Sequence, residues 1–113
     1  MASETIEELV ARYREGAAGT SASDPSVANK WQRQMHRCYK QLRDTPEGQL
    51  AISMLMDDPS PHVQCWAGSH SLQWEPMKAQ RTLQRLRDSN GECSFTAEIT
   101  LEEFGKGRLS FDY

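Results

Sequence analysis

The sequence predicts an all-helical fold of about six short helices. Between its turn residues, apolar side chains recur at spacings of three and four, which is the period of a helix with one buried face. No stretch shows the sustained alternation of a strand. The 113 residues are the length of one small domain, and we expect a single domain over residues 1–113. Four of the five prolines stand where a helix can begin, because the first helical turn needs no free N–H; they are Pro25, Pro46, Pro61 and Pro76.

The first predicted helix spans residues 5–18. Thr5 and Glu8 form a capping box, in which a hydroxyl accepts a backbone N–H and the acidic residue three positions later reaches back. Gly16 and Gly19 belong to a loop-like stretch that ends this helix. The apolar stripe of the helix consists of Ile6, Leu9, Val10, Tyr13 and Ala17.

The second and third helices are predicted over residues 25–43 and 46–56. Asp24 and Thr45 precede the prolines that open them. The second has the clearest helical period in the chain, and we expect it to bury that stripe. The stripe consists of Val27, Trp31, Met35, Cys38, Tyr39 and Leu42.

The junction before the fourth helix is the best-defined turn in the sequence. Pro59 disfavours helical geometry at Asp58, while Ser60 can cap the next helix. The fourth helix is predicted over residues 61–72, and its neighbours should pack as antiparallel hairpins. The residues expected on its buried face are Val63, Trp66, Ala67 and His70.

The last two helices are predicted over residues 76–89 and 95–104. Asn90 or Gly91 supplies a left-handed end for the fifth helix. The sixth helix places Ala97, Leu101 and Phe104 on one face.

Composition disfavours several classes of protein. The net charge is −3 and the pI about 5.6, which is atypical of proteins that bind nucleic acids. Three widely spaced cysteines favour reduced thiols over a disulfide framework. No apolar run approaches the roughly 20 residues that cross a bilayer, and no signal segment opens the chain, so we expect a cytoplasmic protein.

Two stretches carry a resemblance to a known family. Residues 58–67, with the letters DPSPHVQCWA, and residues 97–107, with the letters AEITLEEFGKG, resemble a family of small bacterial HEAT-like proteins classed as a domain of unknown function. The resemblance implies a HEAT-like α-α superhelix, a bacterial origin and no assigned catalytic residues. Small bacterial HEAT-like proteins also resemble immunity proteins, which block secreted toxins by binding them. We therefore expect a non-catalytic protein-binding module whose partner is a protein, with a cognate toxin as the leading candidate.

The acidic sixth helix is the predicted binding surface. Its carboxylates, Glu98, Glu102 and Glu103, can face a basic cleft on a partner. Trp74 lies in the short connection before the fifth helix. An aromatic residue there is either a plug over the core or a binding anchor, and both interpretations stay open.

A basic face on the second helix supports an alternative function. Lys30, Arg33, Arg37 and Lys40 recur at spacings of three, four and three, and such a face can contact nucleic-acid phosphates. The simpler interpretation is a solvated face paired with acidic neighbours, which the negative net charge favours. Nucleic acid is therefore the less favoured partner. A second basic cluster on the fifth helix consists of Lys78, Arg81 and Arg85.

No catalytic residue, metal or cofactor is predicted. His62, Cys65 and His70 suggest a metal site, but their helical spacing points Cys65 away from His70. We expect His70 to be at least half buried and hydrogen-bonded to a neighbouring loop. Cys93 precedes a helix whose dipole can lower its pKa, and a nucleophile there would need a histidine nearby. The candidates for that partner are His36, His62 and His70.

Overall fold

The computed structural model describes residues 4–111, and in this range the chain folds into six α-helices with no strand. The predicted all-α class is therefore confirmed. A short 3-10 helix, Leu55–Asp57, directly follows the third α-helix. The helices are α1 (Ile6–Gly19), α2 (Pro25–Leu42), α3 (Pro46–Met54), α4 (Pro61–Ser71), α5 (Pro76–Asp88) and α6 (Ser94–Gly105).

Side-chain caps start the helices where the sequence is rich in turn residues. The Thr5 hydroxyl accepts the Glu8 N–H at 3.1 Å, and the Asp24 carboxylate accepts the Ser26 N–H at 2.9 Å. Each such bond satisfies a donor that the first helical turn leaves unpaired. After α5, Asn90 adopts a left-handed conformation with φ 56°. This conformation allows the chain to turn toward α6.

The helix α4 lies at the centre of the fold. The helices α1 and α2 form the most extensive hairpin, and α5 packs on both α4 and α6. The helix α4 itself contacts α1, α3, α5 and α6. Because it has neighbours on several sides, α4 contributes side chains both to the core and to a cavity at the surface.

Two glycines predicted to lie in a loop are instead part of α1. A Cβ atom on Gly16 would come within 2.7 Å of the Trp31 carbonyl oxygen, and Gly19 also faces the Trp31 ring. The absence of side chains at these positions lets α1 and α2 approach closely. The prediction of a loop-like Gly16 and Gly19 was wrong because it weighed only the low helix propensity of glycine.

None of the helices within residues 4–111 combines the length and the apolar character that a membrane crossing requires.

Candidate functional site

The basic face predicted on the second helix lies along one cavity. The cavity has a volume of about 360 Å³, and His36 also lines it. Burial lowers the pKa of His36, and the positive charge of Lys40 lowers it further. The four exposed cations that line the cavity, here called the α2 basic face, are Lys30, Arg33, Arg37 and Lys40.

The expected pairing of these cations with acidic neighbours is not found. Within residues 4–111, no carboxylate forms an ion pair with any member of the α2 basic face. Four positive charges therefore share one concave surface without an ion-pair partner within residues 4–111. Such an arrangement attracts anions, and it suits several phosphates better than a single carboxylate.

The basic cluster on α5 has a different environment. The Lys78 ammonium lies 2.9 Å from the Asp57 carboxylate, and an Arg85 N–H donates to the Gln64 side chain at 3.4 Å. The cavity beside this cluster has a volume of about 300 Å³ and includes Asp57 in its lining. Among the α5 cations, Lys78 is thus paired with a carboxylate of the 3-10 helix, and Arg85 with an uncharged side chain of α4.

The exposed side of α6 combines apolar and acidic residues. Phe95 is 72% exposed and Ile99 is 42% exposed, whereas Ala97 on the opposite side is fully buried. Glu98 and Glu102 are exposed beside them, because positions three and four apart share a helix face. These four residues, Phe95, Glu98, Ile99 and Glu102, are called the α6 surface below.

The third predicted glutamate has a local partner. Glu103 is only partly exposed, and its carboxylate lies 3.4 Å from the guanidinium of Arg108. The structure therefore brings Glu98 and Glu102 to the α6 surface and places Glu103 to one side.

Trp74 covers the core between α3 and α4. Its indole N–H donates to the Ser53 hydroxyl at 2.8 Å, and that hydroxyl is 2.9 Å from the Ser71 hydroxyl. Ser53 and Ser71 are both buried. Of the two interpretations of Trp74, this hydrogen bonding favours the plug over the anchor.

Phe95 is the exposed aromatic residue that sequence reasoning missed. It lies off the Ala97, Leu101 and Phe104 stripe, and Ile99 follows it by four positions. Two apolar residues at this spacing, on the side opposite a buried stripe, indicate an apolar surface patch.

His70 belongs to the core. It is fully buried, its Nδ1 atom lies 2.6 Å from the Tyr13 hydroxyl, and its ring stacks on Tyr39 with centroids 3.8 Å apart. Tyr13 belongs to α1, so this partner of His70 lies on a helix rather than in a loop. Burial lowers the pKa of His70 well below its usual value, and the charges of His36 and Arg43 act in the same direction.

A second cavity, with a volume of about 260 Å³, lies beside the N-terminal half of α4. His62, Cys65 and Cys93 line it, and the His62 Nε2 atom lies 2.8 Å from the Glu92 carboxylate. Of the three histidines considered as neighbours of Cys93, His62 is thus the one that shares a cavity with it. This space is called the thiol cavity below.

The cysteines and histidines do not converge as metal ligands. Among the residues that the structure describes, no group of three or more His, Cys, Asp or Glu side chains is arranged to hold an ion. His70 faces the core, and Cys65 faces the thiol cavity.

No protein-family model, curated protein or solved structure matches this chain. The HEAT-like resemblance therefore rests on the two stretches of sequence that carry it.

Proposed function

We propose that this protein is a non-catalytic protein-binding module that docks its partner on the α6 surface. The observation that carries the proposal is the exposure of Phe95 and Ile99 beside Glu98 and Glu102. An exposed aromatic side chain can fill a pocket on a partner and supply much of the binding free energy. Glu98 and Glu102 would then face a basic rim and set the orientation of the complex.

The partner that best fits this surface is a cognate bacterial toxin with a basic cleft. The small size, the negative net charge and the resemblance to small HEAT-like proteins support an immunity-type role. The helical hairpins α1–α2 and α4–α5 are compatible with a HEAT-like superhelix. An immunity protein of this kind would act in the cytoplasm of the cell that makes the toxin.

Co-expression with the product of the adjacent gene, followed by co-purification, tests the proposal. Phe95→Ser should weaken a complex by roughly 30-fold, which corresponds to the ~2 kcal/mol of a hot-spot residue. Met77→Ser is the matched control, because Met77 on α5 is also 72% exposed but lies outside the α6 surface.

Two results would refute this assignment. One is the absence of both a complex and protection from toxicity. The other is a complex that Phe95→Ser and Met77→Ser weaken equally, since the α6 surface would then have no special role.

The second candidate function is nucleic-acid binding by the α2 basic face. It is favoured by one observation: within residues 4–111 its four cations have no ion pairs and line a single cavity. If all four contacted phosphates of duplex DNA, the logarithm of the affinity would fall with the logarithm of salt with a slope of roughly −3 to −4.

A pair of double variants tests this second function. Arg33→Gln/Arg37→Gln should roughly halve the salt slope for a labelled duplex oligonucleotide. Arg81→Gln/Arg85→Gln removes the same charge from α5 and should leave the slope nearly unchanged. No binding at low salt, or equal effects of the two variants, would rule the α2 basic face out as a specific nucleic-acid site.

A further inference from the structure

The thiol cavity brings together two cysteines from separate helices. Cys65 lies on α4, and Cys93 immediately precedes α6. Both residues are about 5% exposed and line the same cavity of about 260 Å³. Cys93 also borders a separate cavity, of about 330 Å³, which residues of α5 line on its other side. The cavities are large enough to admit a small reagent to Cys93.

The surroundings give the two thiols different character. Cys93 stands at the N-terminus of α6, where the helix dipole favours a negative charge. Hydrogen bonding from the neighbouring Cys65 thiol lowers the Cys93 pKa to about 7; burial opposes this shift, and His62 favours it. The pKa of Cys65 is raised by its interaction with Cys93 and by burial. Near neutral pH one member of the pair is therefore partly thiolate, while the other stays protonated.

We infer that Cys93 is an oxidant-reactive thiol and Cys65 its resolving partner, so that a hydroperoxide converts the pair into a disulfide between α4 and α6. This inference is independent of the proposed binding function, because neither cysteine belongs to the α6 surface or to the α2 basic face.

The first step oxidises Cys93. Its thiolate sulfur attacks one oxygen of the hydroperoxide, an S–O bond forms, and the O–O bond breaks. The hydroperoxide is reduced: its other oxygen leaves as hydroxide or alkoxide, which takes up a proton to give water or an alcohol. Cys93 is left as a sulfenic acid.

The second step forms the disulfide. The Cys65 sulfur attacks the Cys93 sulfur, an S–S bond forms, and the S–O bond breaks. The proton of the Cys65 thiol leaves with the hydroxyl group as water. A dithiol reductant reverses the change by thiol–disulfide exchange and restores both thiols.

Cys38 supplies an internal control. It lies on α2, is buried, and does not line the thiol cavity. Burial raises the pKa of its thiol, and the charge of Glu4 adds to this effect. Cys38 should therefore react more slowly than Cys93.

Hydrogen peroxide applied to the full chain tests the inference. After treatment and unfolding, titration with a thiol reagent should find one of the three thiols remaining, and peptide mapping should find a Cys65–Cys93 link. Cys65→Ser should leave a Cys93 sulfenic acid that dimedone traps. Cys93→Ser should lose the reaction, whereas Cys38→Ser should retain it with no thiol left. The rate should rise with pH through about pH 7, following the Cys93 pKa.

Three results would overturn the inference. The first is three intact thiols under conditions that fully oxidise glutathione. The second is a wild-type rate in Cys93→Ser, shown by circular dichroism to be folded. The third is a mapped link other than Cys65–Cys93, including one between two molecules.

Discussion

His62 and His70 lie about two turns apart on α4 and have opposite environments. His70 faces the core, where it is fully buried between aromatic side chains and hydrogen-bonded to Tyr13. His62 faces the thiol cavity, and its partner Glu92 is largely exposed. The sequence places His70 on the expected buried face of this helix and leaves His62 at its first turn.

The difference shows that the place of a side chain on α4, along its length as well as around it, determines its chemistry. On the core side, an uncharged imidazole serves as a polar packing element, because burial opposes protonation. On the cavity side, an imidazole beside a carboxylate can influence a neighbouring thiol. The core side of α4 should therefore determine stability, and the cavity side should determine reactivity.

Alanine substitutions on the two sides of α4 should give the largest difference in the free energy of unfolding. His70→Ala removes a fully buried side chain and leaves the Tyr13 hydroxyl without this partner, so unfolding should become easier by about 3 kcal/mol. His62→Ala removes a half-buried side chain that contacts an exposed carboxylate and should cost less than about 1 kcal/mol. Urea denaturation of both variants measures these free energies. Equal losses would contradict the division of α4 into two sides.

The core side should also make stability depend on pH. The folded pKa of His70 lies below its unfolded value of about 6.5, so below that pH the unfolded chain takes up a proton that the fold does not. Stability should fall as the pH drops from about 6.5 toward the folded pKa, by up to about 1.4 kcal/mol per pH unit. His36, whose pKa is also lowered, acts in the same window. Urea denaturation between pH 7 and 5 measures the slope.

Two variants divide this slope between the histidines. His36→Gln should retain the part that comes from His70, and His70→Asn should retain only the part from His36. If His70→Asn left the pH dependence of stability unchanged, His70 would have to be protonated as readily in the folded state as in the unfolded chain.

The local elements of this fold were predictable from sequence. Helices begin at Pro25, Pro46, Pro61 and Pro76 because the constraints of proline act within one turn. The loop-like character assigned to Gly16 was wrong, since the close approach of α2 at Trp31 decides the role of that glycine. Local propensity thus predicts the bounds of a helix more reliably than the contacts that its residues make.

The candidate sites depend on contacts that a single sequence does not reveal. His70 and Tyr13 are 57 positions apart, and nothing in either segment indicates the pairing. In the same way, the basic residues of α2 and α5 have similar spacing. That spacing does not indicate that Asp57 pairs with Lys78 on α5. The exposed position of Phe95 is the exception, because it follows from the helical period of α6 alone.

A smaller effect should follow from removing the Tyr13 hydroxyl. Tyr13→Phe keeps the buried ring but takes away the group that lies 2.6 Å from His70 Nδ1. The loss should be about 1 kcal/mol, typical of one buried hydrogen bond. Urea denaturation checks this value, and a variant at least as stable as the wild type would show that the hydrogen bond contributes little to the core.

The smallest change in stability should come from Glu92→Gln on the cavity side. Glu92 is largely exposed, so loss of its contact with His62 should change unfolding by less than about 0.5 kcal/mol. Its negative charge nevertheless raises the pKa of Cys93, against the larger effect of the Cys65 hydrogen bond. Removing that charge should lower the Cys93 pKa below about 7 and speed its alkylation by iodoacetamide at pH 6. A slower reaction would contradict this expectation. It would mean that the Glu92 carboxylate favours the Cys93 thiolate through its contact with His62.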